Sequence, residues 1–454
     1  MISPVSTVND WYHSAWNRII QYVLFGYALL LVVLLLLTVS FNNNSFLIWG
    51  LVGASFLLLC YPAYLIPVYF IASIGQGYFG AIGGFELPTI LGVVLIISGL
   101  LYITRHSQRF NKKNLVHLLL MSLYLLISSA FSLTGSFYAY FVFLQYTLIV
   151  IIFGQIRDVN LPILTKLLVI SSVLTIIFLV FTLRENIILM HAERLTSGEN
   201  VHANRFAMML AQLSAVTFAA SLIYRKNINK IFFVMTILVA YFMMILSFSR
   251  SAIIGLTATI LTVILYLLQK DTKKYIFAFV SIVFLVISSI YAIQQIEIPF
   301  IERISVENII ETGGTGRTEI WSVLIPIGIE NNLFFGYGWG PENTYRLAYQ
   351  NGLYHPAHNF VFDMFLQIGI VGLALFFTYF VYVARNLKRY IYEPLILVPT
   401  LILLTAIFNG IGETIFGEKL FWNGIALAWL YMNNLYHNAH KSKSAPVWQN
   451  WTGA

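Results

Sequence analysis

Apolar residues recur in this chain in runs of about twenty, a length that crosses the ~30 Å hydrocarbon core of a bilayer when coiled as an α-helix. The runs lie at 19–39, 88–104, 115–133, 137–155, 161–182, 203–223, 229–248, 251–269, 275–293, 358–383, 394–411 and 418–435, which predicts twelve spanning helices. Residues 46–75 are also apolar but are interrupted at Tyr61-Pro62. They read either as two short spans or as a hairpin that dips partway in, which sets the range at 12–14. Stretches such as Tyr27 to Val39 do not alternate, and this excludes a β-barrel. Backbone groups in lipid must bond within their own segment, so the expected fold class is an all-α polytopic membrane protein. The first run begins near Arg18 without a small-residue cleavage pattern and reads as a retained span rather than a signal peptide.

Polar positions concentrate in a single long stretch. The chain divides into N-terminal transmembrane helices (1–293), one large loop (294–357), C-terminal transmembrane helices (358–435) and a cytoplasmic tail (436–454). Cations orient these parts. The clusters Arg105/Arg109/Lys112/Lys113, Arg225/Lys226/Lys230, Lys270/Lys273/Lys274 and Arg385/Lys388/Arg389 all lie in the cytoplasm if both termini are inside. The loop 294–357, the segment 183–202, the Ser249-Arg250 junction and the turn 410–417 are then extracytoplasmic. On that side the cations are Arg184, Arg194, Arg205, Arg250, Arg303, Arg317 and Arg346, with Lys419 the exception. A guanidinium offers a fork of donors matched to phosphate or carboxylate oxygens.

Composition narrows the chemistry. With 59% hydrophobic and 10% charged residues and a mean hydropathy of +0.81, no polar region is long enough for a large soluble domain. The single cysteine, Cys60, permits no internal disulfide. Aspartate is confined to Asp10, Asp158, Asp271 and Asp363, with no Asp-x-Asp pair, so no metal-bound nucleotide-sugar site is expected. There is no Walker loop. A phosphorylated substrate would have to be neutralised by arginines. No metal, cofactor or nucleic acid is expected.

Three places in the polar regions carry candidate chemistry. Arg250 stands in Leu246-Ser247-Phe248-Ser249-Arg250-Ser251-Ala252, flanked by apolar sequence on both sides. A charge there costs roughly 2.5–3.5 kcal/mol on insertion scales and is retained for a reason, either function or an outward reach to the interface. Arg317 follows Gly313-Gly314-Thr315-Gly316, where glycines let backbone N–H groups approach an anion, and Thr318, Glu319 and Trp321 read as a helix start. The plainer reading is a turn before a helix anchored by Trp321. His355 and His358 precede the span 358–383 and, with no Cys or Asp gathered near them, resemble a metal site poorly. An imidazole has an unperturbed pKa of ~6.5, which suits proton transfer, although loop histidines are often simple polar surface. Tyr337, Trp339 and Tyr345 are suited to stacking on sugar faces or to an interfacial aromatic belt.

In order and spacing, Ser249-Arg250-Ser251-Ala252, Gly316-Arg317-x-x-x-Trp321, Gly336-x-Gly338, His358-Asn359 and Gly369-x-x-Gly372 resemble the O-antigen ligase and polymerase family. The resemblance implies a membrane-embedded, GT-C-like glycosyltransferase that is metal-independent and inverting. It implies a donor glycan on undecaprenyl pyrophosphate, used on the extracytoplasmic face of the bacterial inner membrane, and an acceptor glycan. A chain-length regulator is a candidate partner beside the membrane lipids. The family's key arginines carry over onto Arg250 and Arg317 and its histidine onto His358. Trp321, Gly336, Gly338, His355 and Asn359 are carried as substrate-binding candidates. The segment Arg194 to Arg205, with Asn200 and Asn204, resembles a weaker family element on another outer loop; Arg194 and Asn204 are taken from it as substrate contacts.

The acceptor stays open. A repeat-unit polymerase of O-antigen or capsule type is preferred, because such polymerases are the more diverse and occur in cells without lipid A. An O-antigen ligase that delivers the glycan to lipid A–core is the close alternative. A polysaccharide exporter is the distant one. Transporters usually show two related halves and polar groups at mid-membrane, whereas here the halves differ and the candidate groups sit at one face.

Overall fold

The computed structural model describes residues 4–40, 45–75, 79, 81–82, 85–106, 112–183, 203–224, 226–247, 249–270, 317–412 and 419–441. The expected span 275–293, Arg194, the glycines before Arg317 and the tail beyond 441 lie outside these residues. The helices are α1 (Pro4–Ser40), α2 (Ser45–Ser55), α3 (Pro62–Ile74), α4 (Leu87–His106), α5 (Lys112–Ala130), α6 (Tyr138–Phe153), α7 (Leu161–Thr182), α8 (Ala203–Ile223), α9 (Asn227–Leu246), α10 (Arg250–Lys270), α11 (Arg317–Asn332), α12 (Pro341–Gln350), α13 (Phe360–Lys388), α14 (Leu397–Gly410) and α15 (Lys419–Lys441). A two-residue antiparallel pair, Ala81–Ile82 with Phe85–Glu86, precedes α4. Eight of the described helices are long and apolar enough to cross a membrane, and four more apolar helices are shorter. The protein is therefore a helical, multi-pass membrane protein.

Local sequence sets the helix ends. Residues 46–75 form two short helices, α2 with a 3-10 extension and α3, split at Tyr61 because Pro62 disfavours a helical residue before it. Asn160 starts α7 by accepting from the Ile163 amide at 3.2 Å, with a proline in the first turn. The polar stretch read as a loop is partly folded, since α11 and α12 lie within it. The span expected at 358–383 begins at Phe360 and runs to Lys388.

Two long, largely buried helices organise the bundle. In α8, Ala, Ser, Thr and Met side chains let α7, α9, α10 and α14 approach closely. Residues 420–432 of α15 are almost wholly buried against α6, α14, α13 and α3. At one end of the bundle Asn433 donates to the Gly154 carbonyl, while Asn434 donates to Ile156 O and accepts from Val159 N. Tyr102 reaches Arg157 O nearby, and Asn114 accepts from Tyr379. At the other end the 131–137 connection meets residues 337–346. There Lys419, only 2% exposed, pairs with Glu86 at 3.2 Å and Thr89 Oγ1 at 3.2 Å. A run of edge-packed rings, Trp339–Phe143–Trp422–Phe421, joins this end to the bundle core.

Candidate active site

Arg250 and Arg317 each open a helix. The chain leaves α9 at Ser247, whose amide still bonds Met243 O at 3.1 Å, and restarts at Arg250. Arg317 is the first described residue of α11. Both arginines are half-buried. Gly412, just past α14, reports what Arg317 meets. A Cβ at 412 would lie 2.8 Å from Ser251 Cβ and 3.3 Å from Arg317 Nη1. The Arg317 guanidinium thus reaches the first turn of α10 at Ser251. Helix starts carry partial positive charge and unpaired N–H groups, so a guanidinium at the start of α10 is an arrangement suited to an anion.

His358 is held beside the same point by its neighbours. Trp321, one turn along α11 from Arg317, donates from Nε1 to Ala357 O at 2.6 Å. Its ring packs edge-on to Phe362 at 5.0 Å. Asn359 caps α13, accepting from Val361 N at 3.0 Å and Phe362 N at 3.3 Å. Its Nδ2 donates to Ile411 O at 3.0 Å, next to Gly412. Between these two pinned residues His358 takes φ +47°, a left-handed conformation that costs a bulky residue about 1–2 kcal/mol. The flanking bonds hold it there. His355, exposed, has its ring centroid 5.7 Å from that of His358. Against the sequence expectation, His358 precedes the helix rather than opening it, and Asn359 is the cap.

The glycine motifs serve a backbone-to-backbone junction. At Gly369 (φ +61°, ψ −171°) helix α13 breaks, which strips the helical partners from the 370 and 371 amides and the 366, 367 and 368 carbonyls. Each finds another partner. Ile370 N donates to Leu333 O at 2.9 Å and Val371 N to Phe334 O at 3.2 Å, while Tyr337 N donates to Leu366 O at 2.8 Å and Gly338 N to Gln367 O at 2.9 Å. Tyr124 Oη completes the set on Ile368 O at 2.6 Å. A Cβ at Gly336 would come within 2.5 Å of the Gln367 carbonyl carbon, and one at Gly369 would overlap the Phe334 carbonyl. Gly338 packs on Ser132, leaving no room for a side chain. The Gly336 and Gly338 amides are both engaged within the chain, on Asn332 O and Gln367 O. Tyr337 and Trp339 are 9% and 2% exposed, too buried to stack on a sugar, whereas Tyr345 is 50% exposed.

Asn204 sits half-buried at the start of α8. Sequence reasoning missed the residues that support the junction. Asn343, fully buried, donates to Gly338 O and Trp339 O, both at 3.1 Å, and accepts from Thr134 N at 3.0 Å. Gln367 accepts from Gly340 N at 3.1 Å. A glycine inside an apolar run, as at 369, was the available signal for the break. Among the described residues no three His, Cys, Asp or Glu side chains gather as metal ligands do.

Comparison with known proteins bears on this same part of the chain. No curated protein matches it. Residues 231–377 match the family model described as O-Antigen ligase, a segment that includes Arg250, Arg317, Trp321, His358 and Gly369. The match covers about a third of the chain, and it is this segment that is similar to the O-antigen ligase family.

Proposed function

We propose that this protein polymerises lipid-linked polysaccharide repeat units on the extracytoplasmic face of the bacterial inner membrane. The family implies a lipid-linked oligosaccharide and a glycan acceptor as substrates. The observation that carries the reading is the meeting at Gly412 of the α10 start, the Arg317 guanidinium and, through Ile411, the cap beside His358. An acceptor hydroxyl oxygen attacks the anomeric carbon of the donor. The anomeric C–O bond to phosphorus breaks, and its electron pair leaves with the undecaprenyl diphosphate. Arg250 and Arg317 stabilise the growing negative charge by charge-assisted hydrogen bonds. The hydroxyl proton passes to His358, and the anomeric configuration inverts. No step uses a metal. The lysine- and arginine-rich end of the bundle faces the cytoplasm, as positive-inside bias favours, and the arginine site faces outward.

The family model's description favours a second reading, transfer to a lipid A–core acceptor. One experiment separates them. Purified protein is incubated in EDTA with a lipid-linked repeat unit, with or without lipid A–core, and the products are resolved on a gel. A ladder of multiples without lipid A–core supports the polymerase. Product only when lipid A–core is supplied supports the ligase. Transfer that requires Mg²⁺ or Mn²⁺ would sink the arginine mechanism.

A further inference from the structure

Asn409, on α14, is 1% exposed. Neither its Oδ1 nor its Nδ2 has a hydrogen-bond partner, and among the described residues it is the one side chain with two such atoms. Burying an unbonded carboxamide is unfavourable, and such groups call for an explanation. Its surroundings are built to receive it. A Cβ at Gly255, one turn along α10 from Ser251, would overlap Asn409 Oδ1, so glycine there is what lets the carboxamide lie between the two helices. The Asn409 carbonyl accepts from Gly412 N at 3.1 Å. Asn409 therefore lies directly beneath the turn on which Ser251, Arg317 and Asn359 converge, and no side chain stands at position 412.

We propose that Asn409 is a substrate-contacting residue whose carboxamide N–H donates to a diphosphate oxygen held by the arginines. The inference rests on the arginine site being a diphosphate site. A carboxamide adds a neutral donor where two guanidinium groups already supply charge, and it orients an oxygen without adding net charge. A diphosphate oxygen supplies the acceptor that its Nδ2 does not find within the chain. A purely structural buried asparagine would instead be bonded to the chain around it, as Asn434 and Asn343 are to the backbone of neighbouring connections.

The test uses full-length protein in nanodiscs, with Asn409→Ala and, in case Ala packs badly, Asn409→Ser. Thermal unfolding is followed with and without inorganic pyrophosphate, with sulfate as control, and donor KM and kcat are measured with the lipid-linked donor. For Asn409→Ala the expected result is an unfolding temperature no lower than wild type, because an unbonded polar group has been removed. The pyrophosphate-specific stabilisation should fall by at least half, and donor KM should rise about tenfold with kcat little changed, the pattern of a lost binding contact. The Ser variant, which keeps a donor, should fall between. Wild-type KM and pyrophosphate response in both variants overturns the proposal, as does a wild type that pyrophosphate does not stabilise. A wild type that responds to pyrophosphate, loses the response in Asn409→Ala and yet forms no glycan product supports the contact and sinks only the reaction assigned above.

Discussion

At the basic end of the bundle one helix fastens a connection with its side chains. Asn433 and Asn434 of α15 bond Gly154, Ile156 and Val159, and His437 meets Asp158 at 3.3 Å. At the arginine end the fastening is backbone to backbone, with residues 333–338 filling the break in α13. The difference shows in the torsions. Among the described residues Asp158 is the single positive-φ residue at the basic end, while Gly135, Gly336, Gly338, Gly340, Gly352, His358 and Gly369 all lie at the other. Side-chain clamps tolerate ordinary backbone and hold position loosely, because rotamers can adjust. Backbone junctions demand glycine and fix the elements they join closely, which is what the reaction centre proposed here would need. Here the junction locks α11, with Arg317 and Trp321, to α13, which follows His358.

The largest contrast should come from histidines at the two ends. His358→Ala should lower transfer by about 10²–10⁴-fold, the usual scale for losing a general base. His355→Ala should lower it by no more than about tenfold, ~1.4 kcal/mol of barrier, because it lies exposed and outside the pinned segment. His437→Ala should leave turnover within a factor of about two, the scale of a surface ion pair. Gel-resolved product from purified enzyme with lipid-linked donor reads all of them. Equal, complete loss in His355→Ala and His358→Ala would mean a paired role, and an active His358→Ala enzyme would remove the proposed base.

A smaller effect sharpens the contrast between torsion and close approach. Gly135 and Gly369 have φ of +64° and +61°, but a Cβ at Gly135 meets nothing within 4 Å whereas one at Gly369 overlaps Phe334. Gly135→Ala should cost only the conformational part, about 1–2 kcal/mol. Gly369→Ala should add an overpacking cost of about 1–3 kcal/mol. Thermal unfolding of the purified variants measures the difference, and equal losses would show that close backbone approach is not what Gly369 supplies. Smallest in its effect on chemistry is Asn434→Ala. It should destabilise by about 1–3 kcal/mol through unbonded backbone groups while turnover per folded molecule stays unchanged. A tenfold fall in kcat would show that the basic end is coupled to the site.

Several of these features were legible in the chain. Arg250 stood out because a charge amid apolar residues is expensive, and Arg317 because of the glycines before it. Asn359 and the glycines at 336 and 338 were visible as a pattern but not as a task. Their work depends on partners far along the chain, Ile411 for Asn359 and Gln367 for Gly338. Asn409, beside a glycine at the end of an apolar run, gave no local sign beyond its polarity. Its lack of a partner is a property of the packed interface.

The sequence by itself determined the helical, multi-pass membrane class, the clustering of lysine and arginine in alternate connections, and the three stretches that carry arginine and histidine. These follow from transfer free energy, which sums along a segment and needs no knowledge of neighbours. Only the tertiary structure decided that Arg317 reaches the start of α10, that His358 sits strained between two pinned residues, and that the broken helix is completed by a segment about thirty residues before it. A hydrogen bond or a close backbone approach depends on where two distant segments meet, and hydropathy, being a one-dimensional quantity, carries no record of that meeting.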